Sequence, residues 1–188
     1  MTSKQEAERA ISSAKSHSER ILFIAALLTK ELEDTKEATI VVGGSAIEIY
    51  TSSLYVSQDL DLVASRREAI SVLESWGFTR EGRIWWRDDW KIAVDLVGYD
   101  YTGSQRRTQV IETRYGPVRL AAVEDLVIKR LAEAKHLRSK ESFSQAVMLL
   151  SEYKGSLDNA YLDEFAQRQD VVDILAELRR RLDRADSV

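Results

Sequence analysis

Cysteine is absent from the 188 residues, which excludes disulfides and thiolate metal sites. Histidine is nearly so: His17 and His136 are the two, and they argue against a multi-histidine zinc site. Long apolar runs are missing as well, since Ile21 to Leu28 is far too short to span a bilayer. That run follows a long polar stretch and precedes "TKELED", unlike a secretory leader with its cleavage site, so the expected location is the cytoplasm, with no membrane partner. An excess of positive charge is lacking too. Against 31 acidic residues stand 27 lysines and arginines, and the net charge of -4 argues against coating nucleic acid by bulk charge. A local basic surface stays open, as does a hard cation held by carboxylates.

What is present reads as soluble and globular, with 44% hydrophobic and 31% charged residues. The length suits one ordinary domain, or a core with a helical appendage. Apolar residues from Ile11 to Leu32 recur at helical spacing and predict one long helix over 3–34. "EATIVV" predicts a buried strand ending at Gly43-Gly44, and "SAIEIYTSS" a short helix with Ser45 as its N-cap. "SQDLDLVAS" predicts the next strand, and "RREAISVLESWGF" a helix stopped near Gly77. A hairpin is expected over "RIWWRDDWKIAVDLVGYD", turning at Arg87 to Asp89, and a strand pair around Gly116-Pro117. From Val123 the period is helical, with helices predicted over 123–137, 142–153 and 161–182. The expected fold is α/β (α+β), a small mixed sheet with flanking helices. The expected divisions are an N-terminal helix (1–35), the core (36–120) and a C-terminal helical segment (121–188).

The chemistry concentrates in three places. A strand, Gly-Gly-Ser and a helix come first, Asp59 and Asp61 follow on the next predicted strand, and Asp95 lies inside the apolar "KIAVDLV". Residues two apart in a strand point to one face. Two carboxylates held together resist ionising together unless a cation lies between them. Asp95, amid Ile92, Val94, Leu96 and Val97, needs a partner, because an unpaired buried carboxylate is costly. If its strand lies beside "DLDLV", three carboxylates converge. That layout suits metal-dependent phosphoryl transfer: Mg²⁺ takes oxygen ligands, and two ions can clamp the attacking and leaving oxygens. The Gly-Gly turn lets backbone approach a triphosphate at a helix N-terminus.

These residues resemble the nucleotidyltransferase superfamily with the polymerase-beta-like fold. More narrowly, "VVGGSAIEIYTSSLYVSQDLDLV" and "AAVEDLVIKRLAEAKHLRSK" are similar to small prokaryotic nucleotidyltransferase-like proteins related to the toxins of abortive-infection toxin–antitoxin pairs. The resemblance covers residues 38 to 150. It implies an NTP such as ATP held at Gly43, Gly44 and Ser45, and Mg²⁺, as two ions, or Mn²⁺ on Asp59, Asp61 and Asp95. It also implies a basic residue on the helix opening Val-Glu-Asp-Leu, either Lys129 or Arg130. A helical wheel turns Arg130 toward the apolar face and Lys129 away from it. The implied acceptor is a hydroxyl of a tRNA 3′ end or of a partner protein, and a cognate antitoxin or a second copy of the chain are further implied partners. One departure stands out: relatives often carry an aspartate near Ser142, where this chain offers only Glu141 in exchange.

Competing readings accompany these. A non-catalytic partner-binding protein would keep the fold and use its long helices, since a fold can outlive its chemistry. An antibiotic-modifying enzyme would need an acidic pocket, for which Asp88 and Asp89 are the hint. Trp85, Trp86 and Trp90, with Arg83 and Arg87, read as core and interface residues ahead of a base-stacking platform. Glu48 reads as a surface residue. His136 takes no role, and Arg179 to Arg181 suit the cationic end of a helix.

Overall fold

The computed structural model of the chain describes residues 2–35 and 37–185. The chain divides into two compact units, Met1–Ala121 and Ala122–Val188.

Serine decides how the first unit begins. The long helix predicted over 3–34 is two helices, α1 (Ser3–Ser13) and α2 (His17–Glu31). Ala14 is extended, and Ser16 caps α2 by accepting a hydrogen bond from the Glu19 backbone N–H. The Glu19 carboxylate in turn accepts the N–H of Lys15, the residue before the cap, at 2.6 Å. Ser-x-x-Glu is a helix-start signature, and it overrides an apolar period that runs on through it. Ile21, Ile24 and Leu28 of α2 are buried in the core.

Among the described residues, seven strands form one mixed sheet: β1 (Ile40–Val41), β2 (Leu60–Val63), β3 (Thr79–Glu81), β4 (Ile84–Arg87), β5 (Ile92–Gly98), β6 (Gln109–Thr113) and β7 (Gly116–Leu120). Their order across the sheet is β3-β4-β5-β2-β1-β7-β6. Two helices lie between strands in sequence, α3 (Gly43–Tyr50) and α4 (Arg66–Ser75). The fold is therefore mixed α/β, as the sequence predicts. Strand β3 was not foreseen: "TRE" carries no apolar alternation and is exposed throughout. It forms because Gly82, at φ +62°, lets the chain turn back and pair Thr79 with Trp86 and Glu81 with Ile84.

The pairing that matters is β2 with β5. They run parallel, with Asp61 opposite Asp95 and Leu60 opposite Val94. On the other side of β2, β1 is antiparallel to it and is itself parallel to β7. Tryptophans fill the space behind β4 and β5. Trp76, Trp85 and Trp90 are buried, and the Arg87 guanidinium lies 3.6 Å from the Trp90 ring centroid. Asp89 is spent on that same arginine, which holds its carboxyl below the usual range through a hydrogen bond.

The second unit is α-helical: α5 (Val123–His136), α6 (Lys140–Tyr153), α7 (Asn159–Arg168) and α8 (Val172–Ala185). The single helix predicted over 161–182 is again two. Asp170 takes φ +55°, and the Val171 N–H bonds back to Ala166. Lys135 of α5 fixes the bend by donating to the Asp170 carbonyl at 2.6 Å and to the Asp173 carboxylate at 2.9 Å. That hydrogen bond holds Asp173 below the usual carboxylate range and Lys135 above its own. Arg179 reaches α7 and binds Asp163 and Asn159. Among the described residues, no helix is long and apolar enough to cross a membrane.

Candidate metal centre

The Gly-Gly turn is built around Asp61. Gly43 adopts φ +56°, a left-handed conformation that disfavours side chains. A Cβ on Gly43 would lie 2.3 Å from Asp61 Oδ2. The chain then enters α3, and the Gly44 N–H donates to that same oxygen at 2.8 Å. A left-handed residue followed by a helical one aims successive amides into an anion-binding concavity, and Asp61 lies against it.

Ser45 does not cap α3 as expected. The helix begins at Gly43, and Val42 occupies the N-cap with no side-chain hydrogen bond of its own. Ser45 is 0% exposed. Its hydroxyl donates to the Val42 carbonyl at 3.1 Å and accepts the Asp61 N–H at 3.0 Å, while the Val42 N–H bonds the Asp61 carbonyl. Backbone and side chain of Asp61 are thus fixed by hydrogen bonds with Val42, Gly44 and Ser45. The Ser45 hydroxyl, predicted to face a nucleotide, is turned to Val42 and Asp61 in a buried residue.

Asp59 lies just ahead of β2 rather than within it, so strand alternation is not what brings it to Asp61. The loop before it does that. Ser57 donates its hydroxyl to the Asp59 carbonyl at 2.9 Å and its N–H to Glu48 Oε2 at 2.7 Å. Glu48 is 1% exposed, which corrects its reading as a surface residue. Its other oxygen accepts the Ser18 hydroxyl at 2.5 Å, and His17 Nε2 lies 3.0 Å from the Ser57 carbonyl. Glu48 therefore pins the start of α2, helix α3 and the Asp59 loop at one point. Glu48→Ala is expected to destabilise the protein by about 2–4 kcal/mol, because it orphans a buried amide and opens a cavity. Urea unfolding of both proteins measures this.

One ligand oxygen from each of Asp59, Asp61 and Asp95 lies within 4.8 Å of the others. Oxygens on opposite sides of a Mg²⁺ stand about 4 Å apart, twice a bond of roughly 2.1 Å, so the spacing admits an ion with little movement. Asp95 supplies the test of fit. It is 1% exposed, and neither carboxylate oxygen has a hydrogen-bond partner among the described residues. Arg83 brings a guanidinium nitrogen to 2.9 Å of Oδ2, an ion-pair distance without hydrogen-bond alignment. Burial first, then the Asp59 charge, push the Asp95 pKa up, while Arg83 and Arg66 pull it down. An oxygen-only donor set with Asp95 buried and Asp59 and Asp61 half-buried fits a hard divalent cation.

Sequence reasoning missed Arg83 as a neighbour of Asp95. The signal was the register that sets Ile84 opposite Asp95, which depends on β3 and the Gly82 turn. Arg66 was also missed; it donates to the Leu96 carbonyl at 2.9 Å, one residue beyond Asp95.

The predicted basic residues belong to the second unit. Lys129 is exposed and Arg130 half-buried, in keeping with the helical wheel. Arg130 Nη1 donates to Glu133 at 2.6 Å, and the Ser142 hydroxyl donates to the same Glu133 oxygen at 2.9 Å. The acidic partner that orients Arg130 is thus Glu133, three residues on. Glu141 instead accepts from Gln145. His136 lies against the Gln169 carbonyl.

Comparison of the chain with protein-family models, with curated proteins and with solved structures found no match.

Proposed function

We propose that the protein is a metal-dependent nucleotidyltransferase that moves an NMP from an NTP to a hydroxyl of an acceptor. The observation that carries the reading is Asp95, buried with no hydrogen-bonded partner among the described residues, converging with Asp59 and Asp61 beside a glycine turn that opens a helix. Three carboxylates so placed repel one another, which makes sense where a cation neutralises them.

Asp59, Asp61 and Asp95 would hold Mg²⁺ or Mn²⁺, whose chemistry when bound is Lewis-acid polarisation of the phosphoryl group and neutralisation of its charge. Gly43, at the positive end of α3, would offer backbone rather than side chain toward the triphosphate, while the Gly44 N–H holds Asp61. Ser45 contributes by holding Asp61. In the transfer, the acceptor oxygen bonds to the α-phosphorus as the bond from that phosphorus to the oxygen bridging to the β-phosphate breaks. Pyrophosphate departs with the electron pair. Asp95 takes the hydroxyl proton. With no protein nucleophile in the step, catalysis is positioning and electrostatics rather than a covalent intermediate. The reading rests on residues of the first unit.

The acceptor class is what an assay must read: a tRNA 3′ end, or a protein such as a toxin–antitoxin partner. The protein would be mixed with each α-labelled NTP, Mg²⁺, total tRNA and lysate, beside Asp61→Asn. Label entering RNA or protein, and lost by at least about a hundredfold in the variant, is the expected result. Label that persists undiminished in Asp61→Asn would remove the carboxylates from the mechanism.

A further inference from the structure

The sheet sets four features in a row. From β1 to β4 come the glycine turn, Asp61, Asp95 and the residue before Ile84, which is Arg83. Arg83 lies on the far side of the carboxylates from the glycine turn. It sits in the tight turn after Gly82, and its side chain is 76% exposed, yet the tip comes to 2.9 Å of a carboxylate that is 1% exposed. The ion pair lacks hydrogen-bond alignment, and Asp95 gains no directed bond from it. The guanidinium therefore contributes charge, and it is held by little else: most of its surface is in water, where surrendering the pair is cheap. A divalent cation ligated by Asp95 would want the same oxygens, and a second cationic group 2.9 Å from one of them would be repelled.

Resting on the metal-dependent reading above, we infer that Arg83 is the resident counter-ion of Asp95, gives up that carboxylate when a divalent cation loads, and so sets how tightly the triad holds its cation. A guanidinium tethered by its own turn acts as a competing monovalent ion at high effective concentration. It shields the buried carboxylate while the triad is otherwise uncompensated. Arg83 thereby sets the affinity of the triad for its cation.

The inference carries an opposite-sign signature. Without Arg83 the empty triad loses its counter-charge, so stability in chelator should fall. The cation loses its competitor, so its affinity should rise. A residue that merely supported the fold would lower both when removed. The test is calorimetric titration of the full chain with Mn²⁺ alone, on wild type, Arg83→Gln and Arg83→Met, together with thermal melts in EDTA. Exposure of Arg83 on a turn lets these variants fold. Both are expected to bind Mn²⁺ about threefold to tenfold tighter than wild type while melting lower in EDTA. Equal or weaker Mn²⁺ affinity in the variants, with the wild type binding, overturns the counter-ion role and leaves the metal site standing. Tightening in one variant only would trace to a contact made by the new side chain, and also overturns it. Absence of Mn²⁺ binding in all three proteins overturns both the inference and the reading beneath it.

Discussion

Asp95→Asn should melt at a higher temperature than the wild type in EDTA and at a lower one in saturating Mn²⁺. The first half follows from burial. The folded state holds the Asp95 proton more tightly than the unfolded chain does, because desolvation raises its pKa more than Arg83 and Arg66 lower it. A carboxylate with a raised folded pKa contributes stability below its unfolded pKa and loses it as pH rises through the folded one. At neutral pH, in the absence of cation, the ionised group is a net burden. Asparagine has nearly the same shape and no charge, so the exchange should raise the melting temperature. The second half follows from linkage. A cation at a hundred times its dissociation constant adds about 2.7 kcal/mol to a protein that binds it only when folded. The variant, with a carboxylate missing from the set, should capture little of this. The order of the two melting temperatures therefore inverts between the two buffers, a result that general stabilisation by asparagine cannot produce. An Mn²⁺ response in Asp95→Asn equal to that of wild type would show that Asp95 is not a ligand.

Gly43→Ala should be far more damaging than Gly82→Ala, which is its control. Both glycines have positive φ, +56° and +62°. In each, alanine incurs a left-handed strain of about 1–2 kcal/mol. Around Gly82 a Cβ would meet nothing within 4 Å, so strain is the whole effect. At Gly43 the Cβ would lie 2.3 Å from Asp61 Oδ2 and 2.7 Å from its Cγ. No side chain tolerates that approach, so Asp61 must leave its place and surrender the Gly44 N–H. The expected loss for Gly43→Ala is about 3–5 kcal/mol, with Mn²⁺ affinity falling at least tenfold. Gly82→Ala should cost about 1–2 kcal/mol and leave Mn²⁺ affinity within twofold of wild type. Denaturation curves and calorimetry on the pair separate strain from collision. Equal losses in the two variants would mean that the close approach of Gly43 to Asp61 does not exist in solution.

Both predictions use residues that were legible in the sequence, and the reason is local. Gly43-Gly44 after an apolar strand, Asp61 two residues from Asp59, and Asp95 inside an apolar run each break a short-range rule, and such breaks are visible without a fold. The expectation that carboxylates converge if the Asp95 strand lies beside "DLDLV" agrees with the register of β2 and β5. The reason given for Asp59 was different from the structural one. It precedes β2 and is delivered by the Ser57 loop, which Glu48 anchors from a helix nine residues earlier. Helix breaks at Ala14 to Ser16 and at Asp170 were hidden because the apolar period continues across them. The caps and left-handed residues that interrupt it are single positions.

The sequence by itself determined the alternation of helix and strand, the apolar core and the three carboxylates with their glycine turn, because periodicity and charge in an apolar setting are properties of adjacent residues. Tertiary structure alone decided the strand order, and with it which groups share the centre. It buried Glu48 as a peg for three segments, turned Ser45 from the surface to the back of Asp61, and brought Arg83 against Asp95 from an unforeseen strand pair. Each of these depends on register between strands far apart in the chain. A one-residue slip would reverse the facing of every side chain, and no local pattern encodes that choice.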